Sequence, residues 1–165
     1  KFAMGGKPTS KKDLAMMAMS YGNVYVAKVA FGANTAQTVK AFLEAEAYEG
    51  TSIIIAYSHC INQGYDLIHG IDQQKAAVQS GYWQLLRYNP NLEKEGKNPL
   101  QLDSSAPSLP IDKYVYNETR FSALLNSKPE VAKKFLEELQ KEIQKKWNFY
   151  KYLSEMPVYK EDEKR

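Results

Sequence analysis

Cys60 and two histidines, His59 and His69, are the side chains best suited to chemistry in the segment that follows residue 56. A thiolate can attack a substrate with help from a histidine, or it can bind a metal ion or an iron–sulfur cluster. A buried thiol can equally be a small, inert core residue. Cys60 is the only cysteine among the 165 residues, so it cannot form an internal disulfide. All three interpretations therefore concern one thiol.

The spacing of these residues argues against two uses of the thiol. Neighbouring side chains of an extended segment point in opposite directions, so His59 is poorly placed to activate Cys60. His69 would reach the thiol only if the intervening loop folded back. One cysteine and two histidines at this spacing also provide too few ligands for a structural zinc site. An inert thiol and a thiol that binds a group completed by other ligands both remain open.

The elements before Cys60 predict a βαβ unit. Residues 24 to 30 are rich in β-branched and aromatic side chains and predict a strand. Asn34 begins a capping box for an amphipathic helix that Gly50 closes. The continuous apolar run at residues 52 to 57 predicts a parallel strand covered on both faces. Ligands of such units bind beyond the carboxyl ends of the strands, where Cys60 is expected, and this position favours a functional thiol.

The sequence also predicts elements before and after this βαβ unit. Ser10 is predicted to cap a first helix with Asp13 in its first turn. Residues 72 to 81 predict another helix and residues 82 to 88 another strand, after which a segment rich in Pro, Asn and Ser, residues 89 to 110, is expected to end the α/β core.

A second capping box, Ser127 to Glu130, predicts the start of a long helix with Pro129 in its first turn. Its apolar stripe consists of Val131, Phe135, Leu139, Ile143, Trp147, Tyr150 and Leu153. Residues 160 to 165 contain no apolar side chain and are expected to form a polar tail.

Composition narrows the class of protein. The 22 Lys and Arg residues nearly balance the 19 Asp and Glu residues, and the resulting charge of +3 does not indicate nucleic-acid binding. Neither a secretory leader nor an apolar span of about 18 residues is visible, which predicts a cytoplasmic protein without a membrane segment.

Several blocks of the sequence resemble one enzyme family at consistent spacing. They are KKDL at residues 11–14, AMSYGNVYVA at 18–27, AEAYEG at 45–50, IIAYSHCI at 54–61, GYW at 81–83 and RYNP at 87–90. In these blocks the chain resembles the C-terminal part of pyruvate:ferredoxin (flavodoxin) oxidoreductase, over about residues 1 to 155. The resemblance implies an α/β fold with part of a parallel-sheet, three-layer core of the thiamine-diphosphate-binding type, followed by a C-terminal helical segment. Residues 1–110 would be the C-terminal part of that domain and residues 111–165 a helical extension and tail.

The resemblance also implies an activity and cofactors. The family oxidatively decarboxylates pyruvate on thiamine diphosphate, forms acetyl-CoA and CO2, and passes electrons through [4Fe-4S] clusters to ferredoxin or flavodoxin. In the family, the cluster near the thiamine is held by a CxxC pair, a further Cys and a distant fourth Cys in a segment like Tyr-Ser-His-Cys. Cys60 matches that fourth ligand, and the resemblance then suggests Tyr57, Ser58, Ile61 and Asn62 as residues that line the cluster.

The resemblance also implies ligands and partners that lie outside this sequence. The thiamine and Mg2+ ligands of the family precede these residues, so no catalytic residue is assigned here. The expected partners are the remainder of the enzyme, ferredoxin or flavodoxin, pyruvate, CoA and a second subunit of a homodimer, with anaerobic metabolism as the setting. Neither a nucleic acid nor a membrane is expected as a partner. The alternative hypotheses are a docking or packing module of a larger 2-oxoacid oxidoreductase, without catalytic function, and a cysteine-dependent hydrolase.

Overall fold

A computed structural model describes residues 11 to 158 of the chain. Helices and strands alternate through the first part of this range, and only helices follow β4. Their bounds are α1 Leu14–Met19, β1 Tyr25–Val29, α2 Thr35–Ala47, β2 Ser52–Ala56, α3 Gly70–Gln79, β3 Leu86–Tyr88, α4 Asn91–Lys94, β4 Leu100–Leu102, α5 Asp112–Val115, α6 Thr119–Ser127 and α7 Pro129–Glu155. Two short 3₁₀ turns, Ile61–Gln63 and Leu67–His69, lie between β2 and α3. The predicted cap Ser10 and the polar tail at 160 to 165 lie outside the described residues.

The four strands form one mixed sheet in the order β2-β1-β3-β4. β1 and β2 are parallel and are joined by α2, which confirms the predicted βαβ unit. β3 runs antiparallel to β1, and β4 runs antiparallel to β3. The predicted strand at residues 82 to 88 is therefore shorter than expected, and the sheet gains a further strand, β4, inside the segment at residues 89 to 110 that we expected to end the α/β core. A strand as short as β4, inside a segment rich in Pro and Asn, leaves no periodic pattern to detect.

Helices cover β1 on both faces, which gives three layers. On one face Val26 packs with Leu86, with α1 and with Tyr150 of α7. On the other face Tyr25 and Ala27 pack against Ala41 of α2. Every residue of β1 is buried as a result. The predicted α/β core followed by a helical segment is confirmed.

The prediction that β2 is covered on both faces is only partly correct for the part of the chain that the structure describes. Ser52 and Ala56 are exposed, and residues 53 to 55 are only half-buried. The cause is position in the sheet, because among residues 11 to 158 no strand pairs with the outer edge of β2. Ile53 and Ile55 pack against the core on one face of the sheet and Ile54 on the other, so each face of β2 is partly covered.

The predicted helix starts are confirmed for α2 and corrected for α1 and α7. The Asn34 side chain accepts a hydrogen bond from the Gln37 N–H at 2.9 Å and caps α2. Asp13 caps α1 by accepting from the Met16 N–H at 3.3 Å, and so stands before the helix instead of within its first turn. Ser127 does not cap α7, because it still belongs to α6, where its hydroxyl donates to the Ala123 carbonyl at 2.8 Å.

The long helix α7 packs against the rest of the protein through the central and C-terminal parts of its apolar stripe. Ile143 and Tyr150 are buried as predicted. At the start of the helix Val131 is exposed, and the neighbouring Ala132 is buried in its place. No helix among the described residues is long and apolar enough to cross a membrane.

Candidate functional site

Cys60 lies just past the carboxyl end of β2. The ladder between β1 and β2 continues one residue beyond the strand, where the Tyr57 N–H donates to the Val29 carbonyl at 2.9 Å. Cys60 itself is extended and directly precedes the 3₁₀ turn Ile61–Gln63. Its thiol is free and half-buried. The structure thus places the cysteine at the sheet edge where ligands of βαβ units bind.

A hydrogen-bonded bridge holds the residue before the cysteine. The Gly32 N–H donates to Gln74 Oε1 at 2.8 Å, which fixes the orientation of the Gln74 amide. Its NH2 group therefore faces His59 and lies 2.9 Å from His59 Nδ1, which must act as the acceptor. Because Gln74 is buried on α3, it ties the Cys60 loop to α3 and to the turn after β1.

A second anchor holds the far end of the same loop. Gly64 adopts a left-handed conformation, with φ of 80°. Its carbonyl accepts from the N–H of Thr119 at 3.0 Å and from the Thr119 hydroxyl at 2.6 Å, at the start of α6. Residues 60 to 64 are thereby held at both ends by elements that are distant in sequence.

Neither histidine is arranged as a general base for the thiol. The ring of His59 bonds Gln74, and its edge packs against Gly70, where an added Cβ would lie 2.9 Å from His59 Cδ2. His69 is exposed, with Nδ1 3.9 Å from Asp72 Oδ2. Within residues 11 to 158 no hydrogen bond joins Cys60 to a histidine. No group of three or more His, Cys, Asp or Glu side chains in this range could hold a metal ion.

The four residues suggested to line a cluster fall into two groups. Ile61 is 71% exposed, and Ser58 and Asn62 are also exposed beside the cysteine. The Tyr57 ring instead points into the core, where its hydroxyl lies 2.8 Å from that of Tyr114 and its ring makes an edge contact with Trp83. Ser58, Ile61 and Asn62 could therefore share one exposed surface beside Cys60. Tyr57 does not belong to that surface.

Within the part of the chain that the structure describes, two buried polar atoms in the Cys60 loop find no hydrogen-bond partner. They are Gln63 Oε1 and the Tyr65 hydroxyl oxygen. Burial raises the pKa of the Tyr65 hydroxyl, the nearby Glu118 carboxylate raises it further against the effect of Arg120, and Cys60 acts in the same direction. Sequence reasoning missed Tyr65, because a tyrosine in a loop carries no periodic or spacing signal. Buried polar atoms of this kind are commonly satisfied by an ordered water molecule or by a bound group.

A separate cavity of about 450 Å³ lies between the sheet and helices α6 and α7. Its walls are mostly apolar, with Ile55, Trp83, Leu124, Phe135, Leu139 and Ile143 among the lining residues. Lys28 also lines this cavity and is only 5% exposed. Burial and, to a smaller extent, the charge of Lys146 lower the pKa of Lys28 to about 7, although Asp13 acts in the opposite direction. The Lys28 ammonium lies 4.5 Å from the centre of the Trp83 ring.

Comparison with known proteins identifies the relatives of this chain. No protein-family model matches it. It is 58% identical over 158 residues to the pyruvate-flavodoxin oxidoreductase of Trichormus variabilis, which covers 96% of this chain and 13% of that protein. It is 46% identical over 155 residues to the pyruvate:ferredoxin oxidoreductase of Moorella thermoacetica, with 94% and 13% covered. A mitochondrial pyruvate dehydrogenase [NADP(+)] of Euglena gracilis is 43% identical over 159 residues, with 95% and 9% covered.

By name, these three relatives are oxidoreductases of pyruvate. In sequence the chain is a relative of one segment of the pyruvate-flavodoxin and pyruvate:ferredoxin oxidoreductases, and the resemblance seen in its motifs is confirmed. The chain spans 13% of the length of the flavodoxin-linked relatives.

Proposed function

We propose that this chain is part of a pyruvate:ferredoxin (flavodoxin) oxidoreductase and that Cys60 is one thiolate ligand of a [4Fe-4S] cluster in it. The longer enzyme oxidatively decarboxylates pyruvate to acetyl-CoA and CO2 and passes the electrons to ferredoxin or flavodoxin. The observation that carries the proposal is the 58% identity over 96% of the chain to a protein named for that activity. Residues 1–110 complete a thiamine-diphosphate-binding domain, and residues 111–165 form its helical extension and tail.

The geometry around Cys60 supports the role of a remote fourth ligand. A [4Fe-4S] cluster takes four thiolates, and this chain provides one, so the other three must come from the remainder of the enzyme. A bound cluster would supply one-electron redox chemistry. Cys60 would bind one iron, and the anchors at His59 and Gly64 would hold the thiolate in place. Ser58, Ile61 and Asn62 limit the access of water, with Tyr57 supporting the loop from the core.

An open sheet edge supports the remainder of the enzyme as a partner. Because the odd-numbered residues of β2 bond β1, the N–H and C=O of Ile54 point to the unpaired outer edge. On the outer face of α2, Val39, Phe42 and Leu43 are all more than half exposed. Unpaired strand edges and contiguous apolar surface are typical of internal interfaces. In the enzyme this surface is covered by further chain of the same domain.

The activity is tested by purifying the longer polypeptide and assaying pyruvate oxidation. We expect acetyl-CoA to form only when pyruvate, CoA and an electron acceptor are all present, with thiamine diphosphate, Mg2+ and iron bound to the protein. The enzyme is expected to be a cytoplasmic homodimer, which its mass in solution tests. A purified polypeptide with bound cofactors that oxidises no 2-oxo acid would overturn the proposal.

The open edge of β2 also favours a second candidate, a docking or packing module without a cluster ligand. The two functions are distinguished by mixing the 165-residue chain with the remainder of the enzyme expressed separately. A docking module would bind and restore activity equally well with Cys60 or with alanine at that position. A cluster ligand would restore activity only with Cys60.

A further inference from the structure

The cavity between the sheet and helices α6 and α7 holds a buried ammonium group. Lys28 lies on β1 between Ala27 and Val29, which pack with Ala41 of α2. Because side chains alternate along a strand, Lys28 points to the opposite face, toward α7. There it lines the cavity, and only 5% of the residue is exposed. A lysine is almost never buried to this degree unless it is paired with an opposite charge.

The partners of Lys28 within residues 11 to 158 do not neutralise its charge. Its Nζ lies 3.4 Å from Gln84 Oε1, which is longer than the roughly 2.7 to 3.2 Å usual for such hydrogen bonds. The Trp83 ring offers its face to the ammonium at 4.5 Å. No carboxylate in this range forms an ion pair with Lys28, and Asp13, which acts on its charge from further away, is already bonded to Lys146 at 2.7 Å.

The other charged side chains that line the cavity do not supply a counter-charge to Lys28. Arg120 pairs with the fully buried Glu118. The carboxylates of Glu138 and Glu142 belong to exposed residues of α7. In the described part of the chain, the interior of the cavity therefore contains one positive charge without a counter-ion.

The walls and the size of the cavity define the rest of a matching ligand. Its volume of about 450 Å³ lies within the range of roughly 300 to 1,000 Å³ that is typical of small-molecule sites. Leu124, Phe135 and Leu139 form apolar walls, which favour a ligand with an apolar body. A single ammonium neutralises a single negative charge, and a dianion would bury a second charge at high cost. The ligand that fits is an amphipathic monoanion.

We propose that this cavity binds a small amphipathic monocarboxylate, with the carboxylate on the Lys28 ammonium and the apolar body between the sheet and α7. Gln84 and Trp83 keep the ammonium in place, and the ligand supplies the counter-charge that the described residues lack. Binding at this site does not depend on the proposed role of Cys60.

Octanoate is the probe that tests this site, and 1-octanol is its uncharged match. Trp83 lines the cavity and is one of two tryptophans in the chain, so tryptophan fluorescence of the 165-residue chain reports binding. Titrations at pH 6, below the Lys28 pKa of about 7, keep the ammonium charged. We expect saturable binding of octanoate, roughly tenfold or more tighter than that of 1-octanol, because an ionic hydrogen bond is made only by the carboxylate.

Lys28→Met removes the charge while keeping a side chain of similar length. The variant should bind octanoate roughly tenfold more weakly than the wild type and should bind 1-octanol at least as well. Unfolding would weaken both ligands, so this pattern separates a lost ion pair from a lost fold. Lys75→Met, at a half-exposed side chain on α3, is the matched control and should bind both ligands like the wild type.

The longer polypeptide tests whether the cavity is open in the enzyme. Equilibrium dialysis with labelled octanoate should show the same roughly tenfold difference between wild type and Lys28→Met there. Equal affinity of the two proteins for octanoate, or no saturable binding, would overturn the proposal in the 165-residue chain. A difference confined to the 165-residue chain would also overturn it, because the cavity would then be filled by other parts of the enzyme.

Discussion

Tyr150 donates a hydrogen bond of 2.7 Å to Asp13, a residue 137 positions earlier in the chain. The same Asp13 carboxylate lies 2.7 Å from the Lys146 ammonium and also caps α1. One side chain therefore joins the first helix to the last, and it holds α7 against the sheet. The helical extension and the α/β core share this contact.

Asp13→Ala should lower the free energy of unfolding of the chain at pH 7 by roughly 2 kcal/mol, since it removes a helix cap and two further bonds. Burial raises the pKa of Asp13, but its bonds to Lys146 and Tyr150 outweigh burial and hold that pKa below its usual value. The stabilisation is therefore present above about pH 4 and is lost as the pH falls through the lower, folded-state pKa.

Urea denaturation at pH 7 and at pH 3 measures this difference. Asp72→Ala is the control, because the Asp72 side chain is 73% exposed and should change stability by less than ~0.5 kcal/mol. A deficit in Asp13→Ala that stays constant down to pH 3 would show that the carboxylate charge plays no part.

Arg87→Met should destabilise the chain by about 3 to 5 kcal/mol, because it leaves two carboxylates without their buried counter-charge. Arg87 Nη1 lies 2.5 Å from Glu44 Oε1, and Arg87 Nη2 lies 2.8 Å from Asp103 Oδ1. Urea denaturation measures this loss. The control Lys94→Met, at an exposed position of α4, should cost less than ~0.5 kcal/mol. Equal losses in the two variants would mean that the Arg87 ion pairs do not hold β3 to α2 and to the segment after β4.

Lys28→Met should stabilise the chain at pH 6, by about 1 to 2 kcal/mol, because it removes a buried charge while losing the contact with Trp83. The pKa of Lys28 is lowered to about 7, so the folded state releases a proton that the unfolded state keeps. Wild-type stability should therefore rise between about pH 7 and pH 10, and the advantage of the variant should shrink over that interval.

Thermal unfolding of Lys28→Met and wild type across this pH range tests the prediction. Lys75→Met, with a half-exposed side chain on α3, supplies the comparison. A constant difference between Lys28→Met and wild type from pH 6 to pH 10 would contradict a buried, titrating amine.

Gly64→Ala should cost more stability than Gly22→Ala, although both glycines have a left-handed backbone. An added Cβ at Gly22, with φ of 75°, meets no atom within 4 Å, so only backbone strain of about 1 to 2 kcal/mol is expected. At Gly64 the added Cβ would lie 2.5 Å from Thr119 Cβ, and overpacking should add roughly 1 to 3 kcal/mol. Equal losses by urea denaturation would show that the anchor between Gly64 and Thr119 is loose.

Local sequence patterns predicted the elements whose formation depends mainly on residues close together in the chain. The capping box at Asn34 and the apolar run at residues 52 to 57 were enough for the βαβ unit, because a helix cap and a continuous apolar run are both properties of a single element. The edge position of β2 and the pairing of β4 were not predictable in this way, since both depend on which strands lie next to them in space.

The residues of the candidate site differ in the same way in how far the sequence predicts them. Cys60 was found from its place after a strand, and the resemblance gave it a role. Gln74 and Thr119 could not be found from the sequence, because they reach the loop from elements 14 and 59 residues further along the chain. The unsatisfied hydroxyl of Tyr65 becomes visible only from burial, which no spacing encodes.

The central claim is that Cys60 binds the iron of a [4Fe-4S] cluster, and the most direct measurement is the iron and sulfide content of the purified full enzyme with Cys60→Ser. Ser105→Ala, an exposed serine in the segment after β4, is the matched control. We expect Cys60→Ser to lose one cluster or convert it to a species with a different electron paramagnetic resonance spectrum, while Ser105→Ala keeps the wild-type content. Full iron and sulfide content with an unchanged spectrum in Cys60→Ser would contradict the claim.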